Sequence, residues 1–364
     1  MQSKYKYSQN NSHLLYKINA LLIEKKLLNP KQRILIAVSG GQDSMSILSI
    51  LYKLHKNWEW RLGIIYCDHC WYTRSKQQGT HIARVAISMQ INFYQAVTTQ
   101  PINTEALARS WRYKLLKRLA ISHNYTSIIT GHNGSDRIET MIYNLIRGSG
   151  QKGLHSLTWK KALDPQLITY LKHDMCCNNI RKIIYKEYQY TVKENIKNVC
   201  SLLLIRPLLN ITRTELKNLI VNWKVSIWED ATNQNLKIQR NRIRNQLFPY
   251  LRKYFNSNVD HILLNWTEII HEESMYLENL STFVRLNMAT NQKYFSKSLV
   301  KTKVKTKSFR KINLHVLRVL PVVLQRRIIK QFLDTYFKKS FTFEQVEQIR
   351  IFYLSFKTIS GFKY

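Results

Sequence analysis

Acidic residues are scarce in this chain of 364: 22 Asp and Glu stand against 57 Lys and Arg, for a formal net charge of +35. Such an imbalance points to a polyanionic partner, nucleic acid before a membrane surface, and no cationic amphipathic anchor with a clear apolar face is evident. Glycine and proline are few, 10 and 6, which excludes collagen-like and low-complexity classes. No run reaches the roughly 18–20 uncharged apolar residues that cross a bilayer, so no membrane association is expected. The five cysteines, Cys67, Cys70, Cys176, Cys177 and Cys200, are too sparse and odd in number for a disulfide framework. A reducing compartment is expected instead. Cys67 and Cys70 form a CxxC that no second CxxC completes into a four-thiolate zinc site. The opening MQSKYKYSQNNSHLLYKINALL lacks the apolar core and cleavage site of a secretory signal, and the Arg/Ser-rich look of a transit peptide.

What is present is core-forming material. Hydrophobic residues make up 45% and aromatics 12%, which excludes a wholly disordered basic chain. The length favours two domains. Lys, Asn, Ile and Tyr are abundant throughout, a bias that resembles translation from an AT-rich genome such as an organelle's or a reduced bacterium's.

Short apolar runs alternate with helical patterns in the first 150 residues. Strands are expected at 34–38, 62–67, 91–97 and 127–130, and helices at about 44–55, 76–89, 104–122 and 135–147. The alternation predicts an α/β fold with a Rossmann-like parallel sheet. Residues 159–200 are polar, basic and weakly patterned, and read as an insertion or long loop. Apolar character returns at 202–209, and from Thr212 the chain reads mainly helical, with helical patterns at 257–284 and 314–350. The expected division is a helical extension over 1–30, a nucleotide-binding domain over 31–215, and a helical domain over 216–364. The run 297–312 is a basic stripe, expected as a hairpin or a solvated loop.

The strongest chemical signal is Ser39-Gly40-Gly41-Gln42-Asp43-Ser44, set between a buried strand and a helix. Glycines there let backbone N–H groups approach a phosphate, and the helix N-terminus adds partial positive charge. Ser39 and Ser44 offer hydroxyls, and Asp43 can hold a phosphate-bridging metal ion. The loop is not a Walker A loop, since GxxxxGK[ST] is absent, and it is not GxGxxG. Asp68-His69 and His132 also lie just past the ends of expected parallel strands, where open α/β sheets bind ligands. Asp136 and Glu139 are three apart on one helix, as are Arg109 and Arg112 on another.

The SGGQDS segment resembles the pyrophosphate loop of the PP-loop ATP pyrophosphatases. Further matches follow in the order found in the tRNA(Ile)-lysidine synthetase family. Asp68-His69 is similar to its DH pair, and Glu105 to Tyr113 to its EAxARxxRY. The segment from Thr130 to Thr140 resembles its TGHHxxDQxET, with Asn133 for the second His and Arg137 for the Gln. Arg206-Pro207-Leu208-Leu209, the Trp228 to Asn233 segment and the Arg240 to Arg244 segment are similar to its RPLL, WxxDxSN and RNxIR. The likeness spans roughly residues 30–330.

This resemblance implies a PP-loop catalytic domain over 31–215 and a tRNA-binding helical domain over 216–364. It implies ATP and Mg²⁺ as cofactors, with L-lysine and an isoleucine tRNA bearing a CAU anticodon as partners. The reaction implied adenylates the C2 oxygen of the wobble cytidine and then ligates lysine to give lysidine. Asp43, Arg112, His132, Asp136 and Glu139 are the implied catalytic residues. Ser39, Gly40, Gly41, Gln42, Asp43, Ser44, Asp68, His69 and Arg109 would bind ATP, with Asp43 also holding Mg²⁺. Arg206, Arg240, Arg242 and Arg244 would contact RNA. The plastid stroma is the expected location, with a bacterial cytoplasm as the alternative, and the oligomeric state stays open, a homodimer included. Rival readings are a 2-thiocytidine-forming PP-loop enzyme with an iron–sulfur cluster, and a non-catalytic tRNA-binding protein. Each motif also has a bland alternative. Glu105 and Arg109 would be a surface pair, Asp68-His69 a turn, His132 a core histidine, and Asp136 a helix-terminus acid.

Overall fold

In the computed structural model, the described residues are 2–71, 74–98, 102, 104–155, 157–163, 180–183, 202–228, 236, 238–290, 314–337 and 339–355. They form two compact units, Met1–Thr267 and Glu268–Tyr364.

The first unit begins with α1 (Gln2–Glu24). It continues as β1 (Arg33–Ala37), α2 (Gln42–Trp58), β2 (Arg61–Asp68), α3 (Ser75–Ser88), β3 (Asn92–Val97), α4 (Glu105–Ser122), β4 (Ser127–Thr130) and α5 (Gly134–Ile146). Each expected strand and helix of this stretch is present, with ends shifted by a few residues. After α6 (Gln151–Leu154) come β5 (Lys160–Leu163), β6 (Ile180–Ile183) and β7 (Leu202–Ile205). The seven strands form one sheet in the order β5-β7-β4-β1-β2-β3-β6. Its five central strands are parallel, as apolar runs joined by helices require. β5 and β6 cap the two edges antiparallel to their neighbours.

Those edges differ from the expectation of an unstructured insertion over 159–200. Two stretches of it complete the sheet, while 164–179 and 184–201 lie outside the described residues, as do the proposed 297–312 hairpin and Glu229 to Asn233. The sequence hides β5 and β6 because charges interrupt them, Lys160 and Lys161 in one and Arg181 and Lys182 in the other, and the edge of a sheet tolerates charge.

Strand order places β4 and β2 on opposite sides of β1, so the connections diverge there. The crevice beyond the carboxyl ends of β1 and β4 is the topological switch point of the sheet. One core lies under α1, α2, α3 and α7 (Arg213–Asn222), and the other under α4. Leu216, Leu219 and Ile220 belong to the first of these cores, so the compact unit runs past residue 215. A helical run of α8 (Gln239–Arg242), a π turn (Ile243–Leu247) and α9 (Phe248–Tyr254) follows, anchored by Ile243 and Phe248 against Ile138 and Leu264.

In the second unit, α11 (Leu314–Val319), α12 (Val322–Phe337) and α13 (Phe343–Ser355) bury Leu317, Ile328, Ile329 and Val346 together with Leu280 and Val284 of α10 (Val259–Thr290). No described helix is long and apolar enough to cross a membrane.

Candidate active site

β1 delivers the chain into a tight cradle at Ser39 to Ser44. Gly40 sits at φ +83, and a Cβ there would meet Gln78, Ile82 and Trp228 each at 3.4 Å. The Ser44 hydroxyl ties the loop. It accepts from Ser39 N–H at 3.1 Å and donates to Gly41 O at 3.0 Å. Trp228 N–H donates to Gly40 O at 2.9 Å, so the segment carrying Trp228 docks on the loop from outside. Gly131, just past β4, presses on the same loop: a Cβ would lie 2.9 Å from the Asp43 carbonyl group and Ser44 N. Only a residue without a side chain fits that approach. Gly41 caps α2 without a side-chain hydrogen bond, leaving the first amides of a 17-residue helix for an anion.

A cavity of ≈ 350 Å³ opens beside this loop, lined by Ser39, Asp43, Ser44, Asp68, His69, Arg112, His132 and Asp136 among others. Asp68 is 2% exposed. One of its carboxylate oxygens accepts from Cys70 N–H at 2.8 Å, and Oδ2 is buried with no partner. His69 Nε2 lies 3.0 Å from Arg112 Nη2. A guanidinium only donates, so Nε2 accepts and the proton resides on Nδ1, itself buried and unpartnered. Burial, then the Arg112 charge, push the His69 pKa down to about 4, so the ring is neutral. His132 is held near 4 as well, by burial, with its Nδ1 2.8 Å from the Thr130 hydroxyl.

Beyond Asp43 the cavity meets a charge cluster in which three carboxylates face three guanidiniums. Arg213 Nη2 donates to Asp43 at 3.0 Å and to Asp136 at 3.4 Å. Arg240 bonds Asp136 and Glu139, each at 3.0 Å. Arg244 grips Glu139 from Nε and Nη2, both at 2.7 Å. The second Asp136 oxygen forms a reciprocal capping box with Asn133 at the start of α5. Burial raises the Asp136 pKa, but Arg240, His132 and Arg213 outweigh it and hold the group below its ordinary value. Asp43 goes the other way: burial raises it despite Arg213. Its Oδ1 is buried without a partner.

The arrangement redistributes the expected roles. Arg112 lines the cavity, whereas Arg109 lies exposed with its guanidinium 5.4 Å over the Tyr113 ring and does not line it. Gln42 donates from Nε2 to Arg213 O at 2.8 Å rather than facing the cavity. Arg240 and Arg244, expected on RNA, are engaged by Asp136 and Glu139. Arg206 is 3% exposed and donates to Thr158 O at 2.7 Å, so it braces the end of β7 and is closed to RNA. Of that set only Arg242 is exposed. Arg213 was not anticipated. Its signal is a cation at the first position of a helix, against the macrodipole, inside the Thr212–Glu215 capping box.

The donor set fits Mg²⁺. Asp43 Oδ1 and Asp68 Oδ2 are hard, unpartnered oxygens beside a phosphate cradle, and Mg²⁺ binds through one or two carboxylates plus substrate phosphates. The described residues contain no group of three or more His, Cys, Asp or Glu placed to hold a metal ion. A cluster held by Cys67 is disfavoured, because burial pushes its thiol up to about 12, away from the thiolate form. Cys176, Cys177 and Cys200 lie outside the described residues.

Comparison with known proteins adds four findings. The PP-loop domain family matches residues 10–251. A chloroplastic tRNA(Ile)-lysidine synthase of Zygnema circumcarinatum is 46% identical over 361 residues, covering 96% of this chain and 82% of the relative. A tRNA(Ile)-lysidine synthase of the cyanobacterium Nostoc is 35% identical, covering 91% and 86%. Among solved structures, a U34-tRNA thiolase of Methanococcus maripaludis superposes with a TM-score of 0.52 at 14% identity, over 73% of this chain and 80% of that one, a likeness of fold.

Proposed function

The chain belongs to the tRNA(Ile)-lysidine synthase family of PP-loop enzymes, and from that premise we propose how its residues divide the work. It is an ATP-dependent ligase that forms a carbon–nitrogen bond between lysine and the wobble cytidine of a CAU-anticodon isoleucine tRNA. The cytidine C2 oxygen is a poor leaving group. Attack of that oxygen on the α-phosphorus of ATP expels pyrophosphate and leaves AMP on the base. The lysine amine then attacks C2, AMP departs with the oxygen, and lysidine reads AUA in place of AUG.

The Ser39–Ser44 cradle and the first amides of α2 receive the pyrophosphate. Mg²⁺ bound through Asp43 Oδ1 would supply further positive charge to the phosphates. Asp68 Oδ2 accepts from a ribose hydroxyl, and His69 Nδ1–H donates to an acceptor on the bound nucleotide. Arg112 holds a phosphate or the cytidine at the mouth. Asp136 and Glu139 take the lysine ammonium by releasing one of their guanidiniums, which is then free to meet a phosphate. The carboxylate freed of its guanidinium accepts the proton that the amine must lose, and His132, neutral because it is buried, lines the cavity beside Asp136. The wobble cytidine has to leave the loop stack to enter.

One observation supports this reading above the rest: Asp43 keeps an unpartnered carboxylate oxygen at the helix end that cradles phosphate. The chloroplastic and cyanobacterial relatives support a plastid or bacterial cytoplasm as the location. The test is incubation with ATP, radiolabelled lysine and CAU-anticodon transcripts. Label in the isoleucine species and none in the methionine species is expected. No label with either, or dependence on a sulfur donor, would refute the reading.

A further inference from the structure

The helical run from Gln239 to Tyr254 carries the cluster arginines on one side and an unexplained aromatic group on another. Tyr250, Tyr254 and Phe255 are 54%, 63% and 72% exposed. Their rings touch: Tyr250 lies 4.9 Å from Tyr254 and 5.8 Å from Phe255 between centroids. The Lys253 ammonium sits 5.0 Å from the Tyr254 ring centre. Three clustered, exposed aromatics are costly on a surface and mark an interaction site.

Charge identifies the occupant. Residues 239–258 contain five Arg or Lys and no Asp or Glu. Arg242 and Lys253 are exposed, while Asp260, the nearby acid, is consumed by Arg252 at 2.9 Å. Every base has a π face, so aromatic rings beside cations suit unpaired nucleotides without reading their sequence. Position points the same way. Arg244 is bonded to Glu139 at 2.7 Å, and Tyr250 and Tyr254 follow it by six and ten residues. At about 1.5 Å per residue the rings lie about 9 and 15 Å farther along the run. Neighbours of a nucleotide whose C2 meets a lysine held at the acidic cluster span such a distance.

We infer that Tyr250, Tyr254 and Phe255, with Arg242 and Lys253, form a stacking platform for unpaired bases flanking the reactive nucleotide of the RNA. This rests on the functional reading above in taking tRNA as the substrate. The platform would hold the loop open after the wobble base leaves the stack.

The experiment uses the full chain, a Tyr250→Ala/Tyr254→Ala variant and a Tyr254→Trp variant. The probe is a CAU anticodon stem-loop with 2-aminopurine at an unpaired loop position. The alanine variant should raise the KM for tRNA about 5- to 100-fold, the range for losing one stacked base, with kcat and the KM for ATP unchanged. It should also lose the quenching that the wild type imposes on the probe, whereas Tyr254→Trp should keep both the KM and the quenching of the wild type. An unchanged KM for tRNA and unchanged quenching in the alanine variant would overturn the platform. Loss of a dimer in sedimentation, without loss of RNA affinity, would overturn it too and assign the face to a second copy. Quenching by a wild type that never ligates lysine would instead retain the platform and refute the functional reading.

Discussion

Arg213 Nη2 lies 3.0 Å from the Asp43 carboxylate, joining the first residue of α7 to the phosphate cradle 170 positions earlier. The same guanidinium reaches Asp136 at 3.4 Å and stands 3.9 Å from Glu139. It therefore links the loop proposed to hold phosphate to the carboxylates proposed to hold lysine.

Replacing Arg213 with Ala leaves three buried or half-buried acids facing two guanidiniums. The expected loss of stability is about 1–3 kcal/mol, reduced from the buried-pair value because the side chain is 29% exposed. Urea unfolding checks that loss. Lysine incorporation should fall at least about 100-fold, since the Asp43 carboxylate loses the group that orients it.

Glu139 is more deeply placed, 3% exposed and gripped by both Arg240 and Arg244. Glu139→Gln keeps the shape and removes the charge. Arg240 and Arg244 then keep only the Asp136 carboxylate between them, and a destabilisation of about 3–5 kcal/mol is expected in denaturant unfolding. A change below about 1 kcal/mol would mean that the cluster is a solvated surface network.

Gly131→Ala tests the close approach of β4 to the cradle. The new Cβ would sit 2.9 Å from backbone atoms of Asp43 and Ser44, which cannot swing aside as a side chain can. ATP-dependent activity should drop about 100-fold while the protein still folds, at a cost of about 1–3 kcal/mol. Full activity in this variant would show that the loop has room to spare.

Acid should destabilise the fold through two histidines. His69 and His132 are both held down to about 4, against an ordinary value of 6.5. Between those values the unfolded chain binds protons that the folded chain refuses, so stability rises with pH over about 4 to 6.5 and is lost as pH falls. Urea unfolding at pH 7 and pH 5 should show this loss in the wild type and a smaller one in His69→Asn/His132→Asn. Equal losses in both proteins would contradict it.

The net charge of +35 makes a separate prediction. Affinity for tRNA should fall steeply with salt, while affinity for ATP, proposed to rest largely on backbone amides, should change little. Filter binding between about 50 and 200 mM salt distinguishes the two, and a flat response for tRNA would mean that the basic surface does not bind it.

Much of the fold is legible in the sequence because a buried parallel strand has one unmistakable form, an uncharged run such as Ile34 to Val38 followed by a turn. The edge strands Lys160–Leu163 and Ile180–Ile183 lack that form, since each carries two charged residues, which the edge of a sheet tolerates. At the site, the glycines and Asp43 are legible because backbone phosphate binding demands them in that spacing. The partners of Arg240 and Arg244 are not, because sequence reveals the sign of a charge and hides what folds against it. Arg206 illustrates the same point: a basic residue beside a proline looks free until β7 buries it.

The most direct measurement is the product balance of the reaction. With CAU isoleucine tRNA and lysine present, the wild type should release one AMP and one pyrophosphate per lysine incorporated, and Asp43→Ala should release neither above background. ADP and phosphate as products, or incorporation that survives Asp43→Ala, would contradict the assignment of Asp43 and its cradle to the adenylation step.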